Sequence, residues 1–459
     1  MIDPKVFAEL QNRGIITVVG LESTQFENLD ELKNLGLATS IATEAEYKAA
    51  IEKFINVQAA AEKFLADIAA GGEVIVPCDL IFEKFINVSK DVTLNLNGHT
   101  LEIRNTDLAN GAGFGVAGSA CLTIEGDGKL ISNSRPVWIY GANASAVING
   151  GKFVGSDHPD AKCEVFYING KNSTLTINGG EFVATHQSEG LGAPDYTIIN
   201  IMDSVNKTAK VEVKGGKFYK FDPANNISEG ANTNFVVTGY TSIANGDWFE
   251  VVEGVDNEDS LKASVALGGS TKLLKNITLT DYINVKTDVT IDLNGYSIVH
   301  PIGSTSKYPD AFEVMTGGKL TLNGKGSVVA ENGYAVYAAG DAVVTINGGE
   351  YFSPVSVVDA RKNASVTIND GVFKVDGTNN AEGDFGQKYT LNLRDKVGNY
   401  TAELSEIVVK GGKFYKYNPA ASESEPTVTN FVAKGYESVA EGDWYVVREA
   451  KDIVVEDNE

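Results

Sequence analysis

The chain has 459 residues, and length alone suggests about three domains. An apolar fraction of 43% against 22% charged residues excludes a disordered chain, and no run of about 18 apolar residues offers a membrane span. The formal charge of −23 is spread along the chain, suits a solvated surface, and excludes nucleic acid, because no basic stripe exists to release phosphate counterions.

Residues 1–57 read as a small αβ segment. Asp3 caps a short helix with Pro4 at its first position, ending before Gly14, and Ile15–Val19 follows as a strand. Thr24 with Glu27 forms a capping box for a helix that stops at Gly36, and Thr43 with Glu46 forms another. The helix from Glu44 places Ile51, Phe54, Ile55, Leu65 and Ile68 near one face. Two readings stay open for this segment. It attaches the protein to a larger particle through Phe7, Leu10, Ile16 and Val18, or it enlarges the cap of the domain that begins at residue 58 and buries those four side chains. The hexapeptide Glu52–Val57 recurs word for word at Glu83–Val88. The first copy lies inside the helical pattern and the second aligns with Tyr282–Val285, so the first is predicted helix and the second strand.

Beyond residue 57 one phrase repeats. Thr176–Phe182 reads TINGGEF, with relatives at Val147–Phe153, Thr345–Tyr351 and Thr367–Phe373, and Lys214–Tyr219 recurs as Lys410–Tyr415. Apolar and polar residues alternate up to an Asn-Gly-Gly that tolerates positive φ, then an aromatic resumes the inward side. A recurring strand–turn–strand unit predicts a stacked solenoid, with the extra length between units pushed out as loops. The pattern itself occurs twice. Asp91–His99 matches Asp288–Tyr296, and Asn234–Trp248 matches Asn430–Trp444. Each copy opens with a helix-like run ending in Gly71-Gly72 or Gly268-Gly269, read as a cap over the first rung, and the Tyr/Trp segments read as closing strands. The expected organisation is mainly β, with tandem solenoid domains over 58–253 and 254–459, each behind its own cap helix.

The stretch Lys90–Leu101 resembles the opening coils of right-handed parallel β-helices of the pectate-lyase-like superfamily. The block Gly239–Trp248, repeated at Gly435–Trp444, is similar to endings of bacteriophage structural proteins and bacterial surface proteins of that type. The superfamily includes lyases, hydrolases and inert virion parts, so the resemblance speaks to fold more than to activity. It implies a phage virion surface protein without enzymatic activity, a head fibre or capsid decoration, with a tail fibre as a close variant. Its partners would be capsid or other virion proteins, further copies of itself (a trimer by resemblance) and host-surface glycans. A tailspike-like polysaccharide depolymerase and a bacterial surface adhesin are the alternatives.

Chemistry is sparse in the sequence. Cys78, Cys121 and Cys163 all fall in the first copy and read as buried free thiols of a protein made in a reducing cytoplasm. No apolar secretory segment follows Met1–Lys5, which fits release in a virion better than export. His99, His158, His186 and His300 lack metal-ligand spacing and read as surface or turn residues, no EF-hand loop is present, and no cofactor is expected. A glycosidase needs two carboxylates facing each other across one bond. Asp157 with Asp160, Asp195 with Asp203, and Asp310, Glu313, Asp359 and Asp384 are the acids to consider. They are expected to be loop-borne turn residues, so no catalytic residue is assigned. Phe218–Phe221 and Phe414–Tyr417 bring rings together in both copies. Tyr219 and Tyr415 point outward by alternation and are the candidate glycan contacts, with packing against the Trp248 and Trp444 segments the favoured reading.

Overall fold

The computed structural model describes residues 17–18, 24–25, 44–107, 110–155, 164–184, 198–304, 309–375, 389–393, 405–425 and 427–450. The chain is mainly β and built on parallel sheets, with two helices among the described residues. It divides into two compact units, Met1–Val237 with Ser242–Val252, and Thr238–Thr241 with Glu253–Glu459.

In the first unit the chain visits three sheets in strict rotation. Gly72–Ile75, Val92–Asn95, Cys121–Glu125, Ser145–Ile148, Thr174–Ile177 and Lys210–Val213 stack in parallel as one ladder. Leu80–Phe82, Thr100–Ile103, Lys129–Ser132, Lys152–Val154, Glu181–Val183 and Gly216–Tyr219 form the second. Ile86–Val88, Ala112–Val116, Arg135–Ile139, Phe166–Ile168 and Ile199–Ile201 form the third. Strand alternation explains the core: in Thr174–Ile177, Leu175 and Ile177 are fully buried while Thr174 and Thr176 are half-exposed. Between strands the turns need left-handed backbone, and Asn97 (φ 51°) followed by Gly98 (φ 76°) provides it.

Constant register stacks like on like. Phe153, Phe182 and Phe218 are direct ladder partners with ring centroids 5.3 and 4.9 Å apart. Asn178 Nδ2 donates to Asn149 Oδ1 of the preceding turn at 2.8 Å. Gly216–Tyr219 is then covered by Trp248–Glu253 in antiparallel pairing, with Tyr240–Asn245 outside it. The Tyr/Trp segment therefore does close this sheet.

The second unit places Gly269–Lys272, Asp288–Asp292 and Lys319–Asn323 in parallel below an eleven-residue strand, Val343–Ser353, followed by Ser365–Val375. These two long strands run through the turn with a register shift around Asn347, so two ladders join into one sheet. Tyr351, Phe373 and Phe414 stack in register at 5.1 and 4.9 Å with interplanar angles of 9° and 10°. Trp444–Glu449 and Tyr436–Glu441 close the ladder antiparallel to Gly412–Tyr415. A further sheet holds Ile283–Val285, Phe312–Val314, Val336–Ala339, Val358–Arg361 and Leu391–Leu393.

A helix precedes the first rung of each parallel stack. Helix α1, Glu44–Ala70, ends where Gly71 (φ 81°) donates to Asp67 O at 3.0 Å. It runs straight through the 57/58 boundary expected from the sequence, and Glu52–Val57 is helical whereas Ile86–Val88 is strand. Leu65, expected on its inner face, is 41% exposed, while Phe64 and Ile68 are each 1% exposed and Phe64 stacks on Phe82 at 5.8 Å. The correction follows from the four-residue spacing of Phe64 and Ile68, which turns Leu65 about 100° away. Helix α2, Glu258–Leu267, is capped by Asn257 in a reciprocal box with Ser260 and stops at Gly268 (φ 81°).

Nearer the N-terminus, Thr24 does not cap a helix: Thr24–Gln25 pairs antiparallel with Thr17–Val18, where β-branched residues favour strand. Phe7, Leu10 and Ile16 lie outside the described residues and Val18 belongs to this short ladder. Residues 156–163 and 185–197, which connect successive rungs, also lie outside them.

Removing one ring from the middle of an aromatic stack leaves a cavity between two neighbours that cannot close over it. Phe373→Ala should lower unfolding free energy by about 3–5 kcal/mol in denaturant titration, with Phe414 and Tyr351 losing their shared contact. A loss under about 1 kcal/mol would contradict the stacked core.

Candidate functional site

Charge gathers on the five-stranded sheet of each unit. In the first, the Arg135 guanidinium lies 4.5 Å from the Tyr167 ring centre and 5.4 Å from that of Trp138. Glu164 is buried with one oxygen 4.0 Å from Arg135 Nε, and its other oxygen accepts from Asn200 Nδ2 at 2.7 Å. Beyond the final strand, Glu229 accepts from the backbone N–H of Ile201 at 2.6 Å. Burial pushes the Glu229 carboxyl up to about 7 against that hydrogen bond, and the Asp203 charge pushes the same way.

The second unit builds a related arrangement from different residues. Arg361 forks onto Asp359 (Nε–Oδ1 2.5 Å, Nη2–Oδ2 3.2 Å) and donates to Tyr334 Oη at 3.1 Å. It sits 5.0 Å over the Tyr337 ring. Asn392 Nδ2 donates to Asp359 at 2.8 Å, and Leu393 N–H donates to Glu425 at 2.9 Å. Asp310 accepts from the Tyr334 N–H at 2.8 Å, and its own carbonyl oxygen lies 2.5 Å from His300 Nδ1. Burial pushes the Asp310 carboxyl up to about 7, Glu313 and Asp359 add to the rise, and the Tyr334 N–H and Arg361 oppose it.

Two expectations need correction. Asp359 and Glu313 are not solvated loop residues: they lie inside strands and are 0% and 8% exposed, while Asp310 is 7% exposed. Burial is tolerated because Arg361 spreads a planar fork over Asp359 and the Tyr334 amide donates to Asp310. His300, read as a surface residue, is fully buried, with Nε2 2.8 Å from Ser304 Oγ. Alternation with the buried Ile298 on Ser297–His300 was the available signal. Asp359 and Arg361, two apart in the apolar run Val357–Arg361, were equally legible as a same-face pair. The Arg135–Glu164 contact joins a strand to the segment leading into its neighbour and left no local trace.

Of the remaining acids, Asp203 is exposed, and Asp157, Asp160, Asp195 and Asp384 lie outside the described residues, as do His158, His186 and Cys163. His99 is half-exposed, and its Nδ1 lies 3.5 Å from Asp79. Cys78 and Cys121 are free and half-buried. Among the described residues no group of three His, Cys, Asp or Glu could hold a metal ion. No described helix is long and apolar enough to cross a membrane.

The two outward tyrosines both meet tryptophan. Tyr219 packs on Trp248 at 5.2 Å and Tyr415 on Trp444 at 5.1 Å. Lys220 lies 5.3 Å from the Tyr219 ring and 3.8 Å from Asp247; Lys416 lies 5.2 Å from the Tyr415 ring and 3.7 Å from Asp443. Phe218 and Phe414 beneath them are fully buried. Each tyrosine keeps a half-exposed ring on the outer surface.

The raised Asp310 carboxyl has a pH consequence. The folded state holds a proton that the unfolded chain releases near 3.8, so this contribution to stability is full below that pH and is lost as pH rises through about 7. Asp310→Asn imitates the protonated form. It should be more stable than the parent by about 2–4 kcal/mol at pH 8 and match it near pH 3.5. Equal stability differences at both pH values would show that the carboxyl is not held protonated.

No protein-family model, curated protein or solved structure matches this chain.

Proposed function

We propose that the protein is a non-enzymatic display component of a phage virion, built as two tandem right-handed parallel β-helices that arose by duplication. Its N-terminal segment docks on the particle, and its outer surface engages host glycans weakly. The observation that supports this best is the closure of both parallel stacks. A helix precedes the first rung, and an antiparallel Tyr/Trp hairpin covers the last one. A stack closed in this way buries its last parallel strand and leaves only a short antiparallel strand at that edge, as an element projecting into solvent needs. The buried acids support the same reading, because Asp359 is committed to Arg361 and Glu164 to Asn200. Self-association, with a trimer the expected state, would multiply weak contacts into useful avidity.

One observation favours a second reading, a polysaccharide depolymerase. Asp310, Glu313 and Asp359 share one neighbourhood, and a carboxyl held protonated near neutrality is what a general acid needs. Incubating purified protein with capsular and mucin-type glycans and sizing the products separates the two. The display reading expects no cleavage. Products that vanish in Asp310→Asn, Glu313→Gln or Asp359→Asn variants that remain folded would make the protein an enzyme.

A further inference from the structure

The outer surface of the second unit carries a feature that the matching surface of the first lacks. Outward positions on neighbouring strands form two rows there. One row is Ser327, Glu350, Val372 and Lys413, joined in register across three strand pairs. Two residues further along the same strands, Phe352 pairs with Lys374, and Tyr415 pairs with Trp444 of the closing hairpin. Lys374 Nζ lies 5.2 Å from the Tyr415 ring, as does that of Lys416 on the same ring. All four members of this second row are half-exposed. The result is an outward ladder of an aromatic ring, a lysine and two further rings.

Beside it runs a groove of about 390 Å³, lined by Lys325, Gly326, Gly349, Glu350, Asp370, Gly371, Val372 and Lys413. Its floor is low because Gly349 (φ 90°) and Gly371 (φ 138°) occupy left-handed turns where side chains are strained. Among the described residues Lys325, Glu350 and Lys413 make no ion pair. Three strand spacings of about 4.8 Å separate the rungs of Lys325 and Lys413, roughly 14 Å.

The first unit treats the same positions differently. There the row is Lys129, Lys152, Glu181, Lys217 and Glu250, with Lys152 paired to Glu181 and Lys217 to Glu250. The row beside it holds Val154, Val183, Tyr219 and Trp248, without a lysine between the rings. Positions that neutralise each other in the first unit hold Glu350 and Lys413 in the second, without an ion pair among the described residues and next to a stacking surface.

Resting on the glycan-binding reading above, we propose that this face of the second unit is the glycan site, and that it selects an anionic oligosaccharide laid along the stack. Sugar rings present C–H faces to Phe352, Tyr415 and Trp444, as aromatic side chains accept them. Carboxylates of the glycan meet Lys325 and Lys413, and its hydroxyls donate to Glu350 and Asp370. In a chain of net charge −23, this local set of lysines is what keeps an anionic ligand from being repelled. Tyr219 of the first unit, equivalent in sequence to Tyr415, takes no part.

The test is titration of the full-length protein with an alternating uronate/N-acetylhexosamine hexasaccharide and with a neutral N-acetylglucosamine hexamer, followed by NMR or calorimetry. The anionic hexamer should bind at least ten-fold more tightly than the neutral one and weaken as salt is raised. Lys413→Glu, an exposed substitution that leaves the core untouched, should cost ten-fold or more, and Tyr415→Ala a similar factor with an unchanged fold by circular dichroism. Tyr219→Ala should change nothing. Equal binding of both hexamers, or indifference to Lys413→Glu, would overturn the charge selection and leave weak glycan binding standing. Equal losses in Tyr219→Ala and Tyr415→Ala would overturn the assignment to the second unit. Absence of binding to these and to a broad glycan panel would remove the glycan-binding reading itself.

Discussion

Parallel pairing at constant register is the constraint on which the rest of the molecule depends. A parallel strand cannot be joined to its neighbour by a tight hairpin, so the chain must leave, cross other sheets and return one rung further on. In the first unit it does so three strands at a time, and every return places a residue beside its counterpart one turn earlier. Phe meets Phe, Asn meets Asn, and Thr123 meets Thr93 on one side and Val147 on the other. The side-chain ladders follow from the register. They also make the fold tolerant: an outward position can change freely so long as its inward neighbours keep stacking.

A stack of this kind has a beginning and an end, and both need covering. Helix α2 shows how closely the sequence manages one of them, with Asn257 and Ser260 capping each other and Thr287 Oγ1 donating to Val265 O at 2.5 Å. At the other end the chain reverses direction, and the antiparallel hairpins pair with the last parallel strand. In each unit a glutamate, Glu229 or Glu425, accepts from the backbone of the final strand of the neighbouring sheet. A carboxylate on an edge N–H satisfies a donor that another chain would otherwise find.

Local pattern made most of this legible. The Asn-Gly turns, the alternation in Thr174–Ile177, the helix stops at Gly71 and Gly268 and the closing role of the Trp blocks all depend on residues near one another in sequence. Where pattern failed, distance was the reason. Leu65 is the local exception: it sits a single helical step from the inward line that the four-residue spacing of Phe64 and Ile68 marks. The carboxylates were harder still. Asp310 is buried because Tyr334, more than twenty positions away, supplies an N–H, and Glu164 because Asn200 and Arg135 arrive from adjoining strands. The difference between the two outer faces becomes visible only when strands are set in register, since Lys374 and Tyr415 are far apart in sequence and adjacent across the ladder.

Edge closure is the claim most open to direct attack. Deleting Tyr436–Glu449 from the full-length protein removes the hairpin over Gly412–Tyr415 and bares a parallel edge. Sedimentation velocity on that variant should show concentration-dependent self-association beyond the parent's own state, together with a lower melting temperature. A variant with the parent's oligomeric state and unchanged melting would contradict the account, because the parallel stack would then need no closing strand.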